Sequence, residues 1–338
     1  MNADAYRRLR LTIGLAVVTV VVAAAGLAAG ADGWSIPALA RALHSAEGRL
    51  IVFQIRAPRT LGAWLTGALL GLSGATAQGL FRNPLADPYL LGSASGAVLG
   101  VVLVLAAAAL GGHAFSVATA DTVARFGLVG AAFAGAVLGV LLTLSLARGA
   151  QETMRLLLAG VIVGVVLSAV SDLVTSAAPE SLRGKQAFLL GSTGFLGWQS
   201  CVVMAVGLAV TLPVAWRLSR VLDALTLGTE TAISLGVALG RVRLALVAAL
   251  ALATGLAVSQ AGLVAFVGLV SPHLVRRFAP ATHGFTLVAS AAAGGALLLT
   301  ADVLARTLIA PQEIPVGVLT ALLGGGYLIL LLQRRRSA

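Results

Sequence analysis

A chain of 338 residues that is 59% hydrophobic and 10% charged, with a mean hydropathy of +1.01, lies far below the roughly 25% charge of a water-soluble domain and must meet lipid over much of its surface. The net charge of +11 does not point to nucleic acid, because the basic residues sit at the ends of apolar runs, where the positive-inside bias puts them. The single cysteine, Cys201, excludes a disulfide within the chain and a Cys-rich metal site.

The apolar runs have the length of membrane helices. Residues 60–81 form 22 positions without a charge, about 33 Å of helix against a hydrocarbon core of about 30 Å. The short alternating strands of a membrane barrel are not visible. The N-terminus imitates a signal peptide, with Arg7, Arg8 and Arg10 before an apolar run. Residues 11–31, however, number 21, more than the usual apolar region of about 7–15, and read as a retained first span. The remaining spans are 60–81, 89–110, 125–147, 154–177, 197–217, 242–262, 264–278, 286–307 and 315–333, which makes ten. The eighth is short and contains Pro272, so a tilted, broken or re-entrant segment is expected. With the N-terminus inside, fifteen of the 23 lysines and arginines fall on the inner side and eight on the outer; both termini are therefore predicted cytoplasmic. The chain reads as one all-α, polytopic transmembrane domain over residues 1–338, with no soluble domain.

The longest polar connections are 32–59 and 178–196 outside and 218–241 inside. In the first, "SIPALARALH" predicts a short surface helix, with Ser35 to cap it and Pro37 in its first turn. After the second span comes "GLFRNPLADPYLLG". Arg82 marks the inner end of the span, and Pro84 and Pro88 force their predecessors out of helix. Asn83 and Asp87 favour turns, and Asp87 is placed to cap the following helix with Pro88 at its first position. Gly67 and Gly71, Gly160 and Gly164, and Gly92 and Gly96 read as sites of close helix approach. A faint echo between "LSGATAQGLFRNPLADP" and "VSQAGLVAFVGLVSPHL" relates spans two to five to spans seven to ten, as in inverted repeats of transporters.

Three stretches carry a family resemblance. They are "IRAPRTLGAWLTGALLGLSGATAQGLFRNPLADPYLLGSASGAVLG" (55–100), "LVAFVGLVSPHLVRRF" (263–278) and "ADVLARTLIAPQEIPVGVLTALLGGGYLILLL" (301–332). They closely resemble the FecCD/BtuC-like permeases of the ABC importers for iron siderophores, haem and cobalamin, in order and over nearly the whole chain. The resemblance implies the type II importer architecture of about ten spans. It also implies a permease at the inner membrane that works as a homodimer, with two cytoplasmic ATPase subunits and one periplasmic or extracellular substrate-binding protein. Independently, a P-loop needs G-x-x-x-x-G-K-[ST]. The sole lysine, Lys185, is followed by Gln186, so the chain does not bind ATP by that motif. No catalytic residue, metal site or cofactor is expected in this chain; ATP and magnesium belong to the partner.

The family also implies roles for particular positions. In 218–241, Leu227, Gly228, Ala232, Leu235 and Gly236 match the segment whose short helices seat in a groove of the ATPase. Thr229 is placed to cap that helix, Glu230 lies in its first turn and Gly236 closes it; without the resemblance the segment reads as a surface amphipathic helix. Outside, Arg56, Arg59 and Arg306 match docking points for glutamates of the binding protein, although interfacial arginines also snorkel. Thr153 and Met154 fall at an inner gate. Gly160, Gly164 and Gly324, Gly325 and Gly326 fall on the two spans that line a path between two copies, though the family commonly carries a bulkier residue or a proline among the last three. Asp302 is one helical turn before Arg306 and reads as its ion-pair partner, whereas Asp172 has no obvious local partner. His44, His113, His273 and His283 show no paired ligand spacing. The reading is an importer of a bulky metal chelate. The alternative, a secondary transporter driven by an ion gradient, wants mid-membrane carboxylates, for which Asp172 is the candidate.

Overall fold

In lipid a single segment satisfies its backbone N–H and C=O groups only as a helix, and the long uncharged runs do so here. The computed structural model describes residues 3–30, 33–111, 122–147, 153–234, 236 and 238–336. The helices in chain order are α1 (Ala3–Ala28), α2 (Ile36–His44), α3 (Ala46–Leu50), α4 (Ala57–Phe81), α5 (Ser93–Leu110), α6 (Thr122–Leu146), α7 (Thr153–Ala177) and α8 (Ser181–Leu190). They continue with α9 (Trp198–Arg217), α10 (Ser219–Thr226), α11 (Thr229–Ser234), α12 (Leu239–Ala261), α13 (Val267–Phe278), α14 (His283–Thr307) and α15 (Val316–Arg336). A two-residue antiparallel pair, Ala29–Gly30 with Gly33–Trp34, follows α1, and a widened helical turn, Ile51–Arg56, leads into α4. The ten expected spans correspond to α1, α4, α5, α6, α7, α9, α12, α13, α14 and α15.

Seven of these helices are long and apolar enough to cross a membrane by composition. The three others depart from that standard for visible reasons. Every residue of α4 from Leu65 to Phe81 is buried, so α4 touches protein rather than lipid and carries Gly, Ser, Thr and Gln without loss. Helix α13 has 12 residues, about 18 Å of rise, too short for a full crossing. The irregular stretch before it is answered inside the protein: Leu263 N–H donates to Phe188 O at 3.0 Å, and Ser192 N–H to Ala261 O at 2.8 Å. That is the condition under which non-helical backbone survives at membrane depth. Helix α15 is apolar mainly over Val316–Leu330 before its basic end.

Small residues set the crossings. A Cβ on Gly71 would lie 2.1 Å from Ser290 O, and one on Gly67 would lie 2.2 Å from Gly294 O. Helices α4 and α14 therefore meet backbone to backbone and share the most extensive contact in the bundle. Helices α5 and α6 repeat the device at Gly96 and Gly135, where a Cβ on either would lie 2.1 Å from the other's carbonyl oxygen. Such approaches gain dispersion and weak C–H···O contacts that a larger side chain would prevent.

Candidate functional site

The polar and unusual residues collect on three surfaces, two at the ends of the bundle and one along its side. The first end begins where α4 stops. Arg82 adopts φ +50°, and the N–H groups of Arg82 and Asn83 reach back to Gly79 O and Gln78 O, a left-handed helix stop. Asn83 Oδ1 accepts from Leu85 N–H at 2.9 Å, and Asp87 Oδ1 accepts from Tyr89 N–H at 2.8 Å. Arg82, Asn83 and Pro84 are exposed, and Pro88 is buried. The turn is as the sequence foretells, with one correction. Asp87 caps a short 3₁₀ turn, Pro88–Leu91, and α5 starts only after Gly92 at φ +79°. The span read as 89–110 is thus two pieces, because only a residue tolerant of positive φ joins them.

That turn forms one wall of a groove. Tyr89 Oη donates to Val264 O at 3.0 Å, and a Cβ on Gly160 would lie 2.0 Å from Leu90 O, so α7 lies directly on the turn. The groove has a volume of about 680 Å³ and is lined among others by Asp87, Tyr89, Ser95, Gly164, Ser168 and Asp172. Met154, at the start of α7, is 77% exposed; Thr153 is the first residue of that helix. Asp172 does have a partner: Lys185 on α8 lies 2.5 Å from its Oδ1, thirteen residues on and invisible to a helix-turn rule. On α15 the three glycines differ. Gly324 is buried, with a Cβ there only 2.3 Å from Phe266 Cβ, whereas Gly326 has nothing within 4 Å. Phe266 itself sits at φ +66°. The hollow beside it, about 180 Å³, shares no lining residue with the α7 groove. Gly160 and Gly324 are thus explained by packing, while Gly164, Gly325 and Gly326 are at least partly open.

At the same end as the turn, α10 and α11 form the connection between α9 and α12. Leu222, Leu225 and Ala232 are buried in the main core. Leu227 and Ile233 are 69% and 57% exposed, and Glu230 is exposed as well. Gly228 O accepts from Ala232 N–H at 3.1 Å, so the helix is entered from Gly228, and Thr229 is its first residue rather than its cap. Gly228 and Gly236 adopt φ +113° and +80°; Leu235 lies outside the described residues. Asp223 on α10 accepts from His283 N–H at 2.9 Å and faces His283 Nδ1 at 2.7 Å. It therefore holds the first residue of α14, an anchor that sequence reading missed for want of any local spacing.

At the opposite end, the three arginines expected to act alike stand in different surroundings. Arg56 Nη1 donates to Leu27 O at 3.0 Å. Arg59 and Arg306 converge on Asp302, which is fully buried. Asp302 accepts from Arg59 Nε at 3.1 Å, Arg306 Nη2 at 2.5 Å and Thr193 Oγ1 at 2.6 Å. Arg306 is only 6% exposed and also donates to Gly26 O, so it braces the cluster from below. The outer fork of Arg59 holds Glu313 through two bonds of 2.8 and 2.9 Å. The hydrogen bonds and charge of Arg59 keep the Glu313 carboxyl below the usual glutamate range. The pairing of Asp302 with Arg306 was legible from their spacing. Glu313 and Thr193 were not, although Glu313 is the sole carboxylate of the connection 308–315.

The bundle of ten helices, one of them a recessed 12-residue segment, is the architecture of an ABC-transporter permease, and the comparisons agree. Residues 16–334 match the model of the FecCD transport family. The hemin transport system permease protein HmuU of Yersinia pestis is 38% identical over 331 residues, covering 97% of each chain. The vitamin B12 import system permease protein BtuC of Citrobacter koseri is 38% identical over 331 residues, covering 98% of this chain and 96% of its own. A solved structure assigned to the metal-chelate type of ABC transporter, in an inward-facing conformation, superposes with a TM-score of 0.83 at 28% identity, over 96% of this chain and 99% of that one. The chain belongs to the FecCD transport family of ABC-transporter permeases.

Proposed function

We propose that the chain is the membrane permease of an ATP-driven importer for a bulky metal chelate, in the class of haem, ferric siderophores and cobalamin. What carries this reading is the full-length kinship with permeases named for hemin and for vitamin B12. Two copies form the path between them, with the α7 groove and the exposed glycines of α15 along it. Two ATPase subunits bind ATP and magnesium at the cytoplasmic face, where the termini lie. Exposed Leu227 and Ile233, on a helix whose Ala232 is rooted in the core, suit a knob that seats in an ATPase groove. A substrate-binding protein docks at the other face through carboxylates that meet Arg56 and Arg59, with Arg306 bracing them. The chain itself makes and breaks no covalent bond; it alternates the access of a cavity walled by small and apolar residues.

The test is uptake into sealed proteoliposomes holding the permease, its ATPase and internal ATP, with the binding protein outside and hemin or cyanocobalamin as cargo. Uptake of one cargo that needs ATP and persists with a protonophore is expected. Accumulation without the ATPase, or its collapse with the protonophore, would overturn the reading in favour of a gradient-driven carrier.

A further inference from the structure

The cluster around Arg59 is electrically closed: two arginines, Arg59 and Arg306, face two carboxylates, Asp302 and Glu313. Every nitrogen of the Arg59 guanidinium is already used, Nε by Asp302 and both terminal nitrogens by Glu313. At rest, then, three of its five N–H donors are taken and its terminal fork is filled. A further carboxylate gains a two-bond grip only by taking the place of one already there. Asp302 is not replaceable, since it is fully buried and gripped by three donors. Glu313 differs in each respect. Its side chain is 47% exposed, Arg59 supplies both of its bonds, and it lies on a connection whose Leu308 and Ile309 are 56% and 49% exposed.

We infer that Glu313 is a built-in surrogate for the docking protein's carboxylate, and that docking exchanges one for the other on the outer fork of Arg59. This rests on the proposed docking of a substrate-binding protein at this face. The chemistry is a swap between like groups. A planar fork that holds one carboxylate through two parallel bonds holds another in the same way. The exchange keeps Arg59 paired at every stage, so the largely buried cation is never left bare, which would be costly. It also frees the connection 308–315 at the moment of docking, and that connection joins α14 to α15, one of the two spans assigned to the path. A permease without its binding protein is thereby kept from exposing an uncompensated positive patch to every acidic surface.

The experiment measures binding of the cognate substrate-binding protein, ligand-free and loaded, to the permease–ATPase complex in nanodiscs. Four forms form a cycle: the native protein, Glu313→Gln, Arg59→Gln and the double variant. Removing the competitor should tighten docking about two- to fivefold, the range of a partly exposed ion pair. The gain should vanish when Arg59 is also replaced. Glu313→Asp, too short to keep both bonds, should fall between. A gain that persists in the Arg59→Gln background would come from added positive charge alone and would overturn the exchange. So would no change, or weaker docking, in Glu313→Gln. If Arg59→Gln and Glu313→Gln each leave docking untouched, the docking role of Arg59 itself is refuted, a result separable from failure of the exchange alone. Should Arg59→Gln not assemble, Arg59→Lys keeps the charge without the fork and serves the same cycle.

Discussion

Replacing Asp302 by asparagine keeps the shape of the side chain and removes its charge. The carboxylate is fully buried and answers Arg306 at 2.5 Å and Arg59 at 3.1 Å. After the change Arg59 still holds Glu313, but Arg306, 6% exposed, is left as a buried cation without its counter-charge. Breaking one side of a buried pair costs about 3–5 kcal/mol, and the Thr193 hydroxyl can still bond to the amide, so the lower half of that range is expected. The companion is Asp302→Leu with Arg306→Met, which removes both charges at similar volume and should lose no more than about 1 kcal/mol relative to the native chain. Graded chemical unfolding in mixed micelles, followed by tryptophan fluorescence, compares the three proteins at equal slope. A single variant that loses under about 1 kcal/mol, or a double variant worse than the single, would show that the cluster is solvated and that its burial has been misjudged.

Other consequences are as direct. Gly71→Leu should prevent native assembly or cost several kcal/mol, because its Cβ would lie 2.1 Å from Ser290 O and neither backbone can yield; retention of a monodisperse, native-like peak on size exclusion would contradict the crossing. Gly228→Val and Gly236→Val meet open space, with the nearest neighbour of a Cβ at Gly228 being Thr231 Oγ1 at 3.7 Å, yet φ values of +113° and +80° should cost about 1–2 kcal/mol each in backbone strain. Those variants should fold, bind the ATPase poorly and leave the partner's ATP hydrolysis uncoupled from cargo movement; normal transport would remove the coupling role. Because the Glu313 carboxyl is held below its ordinary value, its pair with Arg59 is intact above that value and fades as pH falls through the lowered one. Glu313→Gln should therefore flatten the acid limb of stability at and below about pH 4.5, the ordinary glutamate value, and two superimposable acid limbs would show that the pair adds nothing.

The long apolar helices, the proline-stiffened stop after α4, the short helix at Ile36–His44 and the glycine that closes α11 were all legible in the sequence. Each rests on local physics: an apolar run of membrane length, a side chain that caps its own turn, a position that tolerates positive φ. Family membership was legible for the same reason, since its motifs are those turns and termini in order. What the sequence did not contain was the pairing of residues brought together by crossing helices. Arg59 meets Glu313 across 254 positions, and Asp223 meets His283 across 60; no periodicity marks either. Nor did the run 89–110 announce that Gly92 splits it, or the glycines of α15 which of them faces Phe266. Hydrogen bonds within a helix are fixed by the chain a few residues away. The partner of a charged or small side chain is fixed by how closely two helices approach and at what register, and that is settled only when the whole bundle is packed.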